Sequence, residues 1–330
     1  MPVLVDQVAE VARSRLQSGL RSTLGSGPPV PGPEYTEPAG DPGLFGPQSP
    51  AWEVHADPAM LVAGIRALLL QMFHPLAMAG VADHSDYRRD PSGRLNRTAH
   101  FVTVTTFGST PAADAAVAQV RRVHGFVTGT APDGRAYAAN DPHLLLWVHV
   151  AEVDSFLRAH QRYGRRPLSP EEADRYVHDM AEVAVRLGAD VPPRTVAGMR
   201  SWLRGMRDQL DIGDQARDTC RFLLSPPKLP LAARGPYTMV AAAALGLLPT
   251  WARVELRVPP LPLVDRLAVV PAARLLVGTL GWATGGSPFR DAALIRTDRR
   301  TSSDAAQRSE AAPATDRDGR SPEGRRARPM

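Results

Sequence analysis

NDPHLLLWVHVAEVDSFLRAHQRYG, residues 140–164, is the stretch that decides the fold class. Asp141 stands where it can cap a helix whose first residue is Pro142, a place where a fixed φ and a missing N–H cost nothing. Gly164 marks the other end. Between them Leu145, Val148 and Phe156 accompany His149 on what reads as the buried side of one helix. The stretch predicts a long helix that carries an imidazole into the core.

The neighbouring segments read the same way. Residues 110–127, TPAADAAVAQVRRVHGFV, place apolar side chains at 113, 116, 117, 120, 123 and 127, a helical period. Residues 55–80 open on Asp57-Pro58, an expected N-cap and first helical proline, and contain a second His-Pro step at His74-Pro75. Ser169 and Glu172 form a capping box ahead of a helix ending near Gly188. Further helical runs are expected near 195–210, 214–224, 236–247 and 261–280. Period-two alternation is rare, and only GRAYAAN, residues 134–140, suggests a turn or short hairpin. No internal repeat is present.

Residues 51–296 therefore read as one all-α domain. Before it, residues 25–50 hold 14 Gly and Pro in 26 positions and predict an extended, irregular arm, itself preceded by an amphipathic helix over 1–24. After it, residues 297–330 contain no Leu, Ile, Val or aromatic residue, and a disordered tail is expected.

The chain has 330 residues, 43% of them hydrophobic, and a net charge of +5. Of its 39 basic residues only Lys228 is lysine, and the arginines are scattered rather than striped with aromatics, which argues against a nucleic-acid partner. Cys220 is the lone cysteine, so neither a disulfide framework, a Cys-built zinc site nor a thioether-attached haem is available. Neither an apolar signal core nor a twin-arginine motif opens the chain, and its apolar runs fall short of a bilayer span. A cytoplasmic protein is expected, with peripheral membrane contact left open.

All nine histidines lie between His55 and His178, which points to a site in the first half of the domain. His124 shares its stripe with Val117, Val120 and Val127 and is expected to point inward, as is His149. Two readings fit each: a core histidine satisfied by a carbonyl or carboxylate, or a metal or haem ligand. H-E-x-x-H, Glu-x-x-His and G-x-S-x-G motifs are absent, and the prolines in GSGPPVPG prevent a phosphate cradle from feeding a helix. Arg94, Arg97 and Thr98 fall within about one helical turn. Beside an apolar cleft such arginines pair with carboxylates bidentately; on a solvated face they do nothing specific.

Several blocks then resemble a known family: W.VHADPAML..G.RALLLQ..HPLAMAGV.DHS from Trp52, R..RTA.FV...TFG from Arg94, VRRVHGFV.G, DGR.Y.A.DPHLLLWVH and LLP.W.R. They are similar, in order and over about residues 46–255, to the oxygenase MpaB family, which shares its domain with latex-clearing proteins. The resemblance implies a globin-like helical bundle around one pocket holding non-covalent haem b. It implies His124 as the proximal iron ligand, with His149 the competing assignment or a pocket residue. The latex-clearing branch carries Arg-x-x-Lys-Thr beside the haem; here Arg97 stands where lysine would be, and arginine is a poor iron ligand because it stays protonated. That branch's distal glutamate has no clear match, the nearest candidates being His74, Asp83 and His84. The absent twin-arginine signal resembles the intracellular branch.

The expectation is a haem b-dependent oxidoreductase acting on an apolar, isoprenoid- or lipid-like small molecule with O2 or peroxide. Arg94 and Arg97 would anchor propionates or polarise the distal side, and Thr98 would hydrogen-bond bound oxygen. The alternatives are a non-catalytic haem sensor or carrier, and a helical scaffold without cofactor.

Overall fold

The computed structural model describes residues 30–225 and 230–298; the expected helix over 1–24 and nearly all of the expected tail lie outside them. The described residues fold as an all-α domain with one small hairpin. In chain order the elements are α1 (Pro33–Thr36), α2 (Pro50–Ala56), α3 (Met60–Gln71), α4 (Pro75–His84), α5 (Pro91–Phe107) and α6 (Thr110–His124). The strands β1 (Thr128–Thr130) and β2 (Ala136–Ala138) come next, then α7 (Pro142–Tyr163), α8 (Pro170–Leu187), α9 (Val196–Gly205) and α10 (Asp214–Leu224). The chain continues through α11 (Leu231–Gly246), α12 (Thr250–Glu255), α13 (Pro262–Val264) and α14 (Val270–Thr284), and closes with a helix over 288–298.

The stretch that opened the reading becomes α7, the axis of the core. Asp141 accepts the backbone N–H groups of His143 and Leu144 at 2.9 and 3.0 Å, and Gly164 closes the last turn onto His160. Leu146, Trp147, Val150, Val153 and Leu157 pack into the same apolar cluster as Val62, Leu69 and Leu70 of α3. Full burial of a residue of this size contributes about 1.5–3 kcal/mol, so this helix pair carries much of the stability.

Residues 55–80 depart from expectation. Asp57 does not start the helix: α2 runs through His55 to Ala56, and α3 begins at Met60. The Asp57 carboxylate still works as a cap, accepting the Ala59 N–H at 2.8 Å. At His74-Pro75 the chain bends by 107° from α3 into α4. Proline removes a helical donor and forces the preceding residue out of the α region, and His74 accordingly has an extended backbone.

The capping box is formed as read, with Ser169 and Glu172 bonding reciprocally. GRAYAAN supplies β2, paired antiparallel to β1 with Gly129 opposite Tyr137. A Cβ at Gly129 would meet the Tyr137 ring and hydroxyl, so glycine lets that side chain lie across β1. The helix expected at 236–247 starts earlier, at Leu231, and contains Pro236.

The Gly/Pro-rich arm is less irregular than its composition suggests. Its described part makes a helical turn, α1, whose Tyr35 is buried and packs on Phe289 with ring centroids 4.7 Å apart. Arg296, fully buried, donates to the carbonyls of Tyr35, Asp41, Phe107 and Gly108 and so ties the arm, the α5–α6 turn and the last helix together. That anchoring carries the helix to residue 298, beyond the tail boundary expected at 297. Among the described residues no single helix is long and apolar enough to cross a membrane.

Candidate functional site

Gly108 and Ser109 alone join α5 to α6, so the two helices fold back and pack on each other. Arg94 stands 13 residues before Phe107 (107 − 94), and His124 stands 14 after Thr110 (124 − 110). At 1.5 Å per residue both positions are about 20 Å from the turn. Arg94 and His124, thirty residues apart in sequence, thus each stand near the end of a helix that leads away from this turn.

His124 is half-buried rather than sunk in the core. Along the valine stripe Val117 is buried, but Val120 and Val127 are only partly so. The Nδ1 atom of His124 is buried without a hydrogen-bond partner among the described residues. Desolvation lowers the imidazole pKa and outweighs the opposing effect of the Ala139 backbone, so the ring is held neutral. A neutral ring has a lone pair to offer, as metal ligation requires. Val123 and Phe126, next to it in the chain, expose large apolar surfaces, Phe126 at 79%, and so does Leu95 on α5.

The α5 residues are set by the helix start. Asp90 caps α5 by accepting the Gly93 N–H at 2.8 Å, and its carboxylate lies where a Cβ at residue 93 would sit, so Gly93 permits the cap. One turn on, Arg94 is half-buried and makes neither ion pair nor hydrogen bond through its side chain among the described residues. Burial lowers its pKa, opposed by the nearby Tyr87. Arg97 is exposed and 3.9 Å from Asp90. Thr98 is exposed, its hydroxyl donating to the Arg94 carbonyl at 3.2 Å. The expected Arg-Arg-Thr turn therefore forms, with one partly desolvated, uncommitted cation.

His149 lies elsewhere, on α7 and inside the domain, where burial pushes its pKa down to about 4. The three positions weighed for a distal base are otherwise engaged or enclosed. Asp83 accepts the Tyr137 hydroxyl at 2.6 Å, and His84 Nε2 lies 3.1 Å from the Thr128 carbonyl. Both therefore brace the β-hairpin that follows His124. His74 is buried against Trp147 at the α3–α4 bend, with Nδ1 unpartnered among the described residues. No group of three or more His, Cys, Asp or Glu is placed to hold a metal ion among them.

The core holds polar residues that the sequence reading passed over. Arg66 of α3 is fully buried, with Nη2 on Asp154 at 2.7 Å, Nη1 on Ser155 at 2.6 Å and Nε on the Leu247 carbonyl at 3.0 Å. Its signal was available: one arginine inside LVAGIRALLLQ, on the stripe with Val62 and Leu70, demands a buried acid. A second chain runs from Thr106 through His55 to Tyr176, at 2.6 and 3.0 Å. Glu152, bonded to Gln71 at 3.1 Å, has its pKa raised to about 7 by burial.

A family model described as "ER-bound oxygenase mpaB/B'/Rubber oxygenase, catalytic domain" matches residues 52–282. Neither a curated protein nor a solved structure matches the chain.

Proposed function

The chain belongs to the mpaB/B'/rubber oxygenase catalytic-domain family, and on that premise we propose that it is a haem b-dependent oxygenase for an apolar, isoprenoid-like or lipid-like small molecule. An oxygenase catalytic domain implies O2 and a small-molecule substrate in general terms. Peroxide is the alternative oxidant.

The observation that carries this reading is the His124 imidazole, half-buried and with an unpartnered Nδ1 among the described residues. Val123 and Phe126 beside it on the chain are exposed and apolar, and α5 carries the uncommitted Arg94 with exposed Leu95. These residue types fit a haem: imidazole for iron, guanidinium for propionates, apolar surface for the macrocycle. In this reading His124 would hold the iron, Arg94 and Arg97 would hold the propionates, and His149, buried on α7, would be a neutral imidazole in the core. Bound haem supplies the activation of O2 or peroxide.

The chain's own residues do the rest. Desolvation keeps His124 unprotonated and able to ligate. The Arg97 guanidinium offers a planar fork of N–H donors and no acceptor, so it acts as a donor rather than a base. The Thr98 hydroxyl can exchange its helix carbonyl for an oxygen atom of oxidant or substrate at the cost of one modest hydrogen bond, about 1 kcal/mol. Covered by a bound macrocycle, the apolar residues would exclude water, which would strengthen each of these polar contacts.

The test is oxidation of a haem-loaded preparation's candidate alkenes, followed as O2 or peroxide consumption together with product. His124→Ala is expected to abolish turnover with the fold intact; unchanged turnover would sink the assignment. Haem uptake without consumption of any oxidant would favour a sensor or carrier.

A further inference from the structure

Asp154, Leu157, Arg158 and Arg162 fall on one stripe of α7 and line a cavity of about 290 Å³. Val196, Met199 and Arg200 line it from α9, and Ala173 of α8 and Leu247, just past α11, complete the wall. Leu157, Ala173 and Met199 are buried, while Val196 and Leu247 are half-buried, so the wall is mainly apolar. This lining is separate from Arg94, Arg97, Thr98, His124 and His149. The volume suits a small ligand, and sites for such ligands combine apolar walls with a few convergent polar groups.

The charged groups that converge here are mostly cations. Arg158, Arg162 and Arg200 line the cavity together with one carboxylate, Asp154. That carboxylate is taken: it meets the fully buried Arg66 at 2.7 Å and the Arg158 Nε at 2.8 Å. Arg66 also donates to a second lining residue, its Nε lying 3.0 Å from the Leu247 carbonyl. Burial disfavours the charge on Arg66, Asp154 favours it, and Arg158 again opposes it. Arg158 bonds through Nε alone, and the Arg162 and Arg200 guanidinium groups make no hydrogen bond or ion pair among the described residues. Asp174, beside Ala173 in the chain, is turned to the Val196 N–H, at 2.7 Å. Four arginines therefore share the Asp154 carboxylate around an apolar hollow.

We propose that this cavity binds a small amphiphilic carboxylate, its head held by the arginines and its chain laid along Leu157, Met199 and Leu247. The planar guanidinium fork matches a carboxylate bidentately, and an anion here answers the cationic excess. The apolar wall gives the chain a place to leave water. Other small molecules use only half of the site. An inorganic anion would meet the arginines and leave the wall wet. A neutral apolar molecule would cover the wall and leave the charge unanswered. The proposal does not depend on the haem reading.

Isothermal titration calorimetry of the full chain tests it, with octanoate as the probe and acetate, inorganic phosphate and octan-1-ol as comparisons. Octanoate is expected to fill one site with a Kd below about 1 mM, and each comparison to bind at least about tenfold more weakly. Arg162→Gln/Arg200→Gln is expected to weaken octanoate by about tenfold or more, because it removes two charged donors from the head group. Both side chains are exposed, so circular dichroism and Tm of the ligand-free double variant should match the parent. Absence of saturable octanoate binding would overturn the proposal. So would equal octanoate binding by the double variant, which would place the probe elsewhere on the chain. Phosphate binding as tightly as octanoate would reduce the arginines to a simple anion patch, and octan-1-ol doing so would leave them no part in the site; either result also overturns it.

Discussion

Asp154→Asn is the perturbation whose cost follows most directly from the packing. Arg66 is fully buried and its Asp154 partner nearly so, the two meeting at 2.7 Å. Burial alone would pull the guanidinium pKa down; Asp154 opposes that by favouring the charged form. Asparagine keeps the shape and one acceptor but removes the compensating charge. Leaving a buried ion without its partner costs about 3–5 kcal/mol. Loss of the half-exposed Arg158 bridge to the same carboxylate adds at most about 0.5 kcal/mol. For a domain of this size the total corresponds to a fall in Tm of roughly 6–22 °C, at 2–4 °C per kcal/mol. Urea unfolding should show a lower midpoint with unchanged slope. The double variant Arg66→Met/Asp154→Leu, which removes both charges and keeps volume, should recover most of the loss. A single variant costing less than about 1 kcal/mol, or a double variant as unstable as the single, would refute the reasoning.

Stability should also depend on pH in a residue-specific way. His55, His74 and His149 have folded pKa values lowered to about 3, 4 and 4, chiefly by desolvation. Their folded values lie below the unfolded ~6.5, so their contribution is complete above pH 6.5 and is lost as pH falls toward 4. His55→Gln should therefore flatten the acid limb of a Tm-against-pH curve; an unchanged slope would mean the ring is not desolvated. Glu152 behaves oppositely: its folded value of about 7 lies above the ordinary carboxyl value, so ionising it weakens the fold as pH rises from 4.5 to 7. Glu152→Gln should gain stability relative to the parent across that interval, by roughly 2–3 kcal/mol, and little below it. Arg296→Ala removes the donor shared by four carbonyls and should cost about 2–4 kcal/mol. Limited proteolysis should then show a new cut in the arm, between residues 33 and 48, that the parent lacks; no new cut there would show that another contact holds it.

The fold class was legible because its signals are local. Asp141-Pro142, Ser169 with Glu172, and Gly164 each satisfy backbone groups within a few residues, and the structure forms all three ends as read. The exact start of α3 was not legible, because Asp57 can cap from two residues away as well as from the boundary. The order within the arm was hidden as well, since it depends on Arg296, more than 250 residues later in the chain. At the site, spacing placed Arg94, Arg97 and Thr98 on one turn, and they are. It overstated the burial of His124, because a periodic stripe says which way a side chain faces and not how deeply that face is covered. The break between α5 and α6 at Gly108-Ser109 is legible in TFGSTP, where a glycine is followed by Ser-Thr-Pro, a helix end and a new start.

A visible spectrum of the chain produced with ample haem, compared with His124→Ala and His149→Ala, tests the central claim most directly. The expected result is a Soret band that His124→Ala abolishes and His149→Ala leaves in place. A band lost only in His149→Ala, or no band in the parent chain, would contradict it.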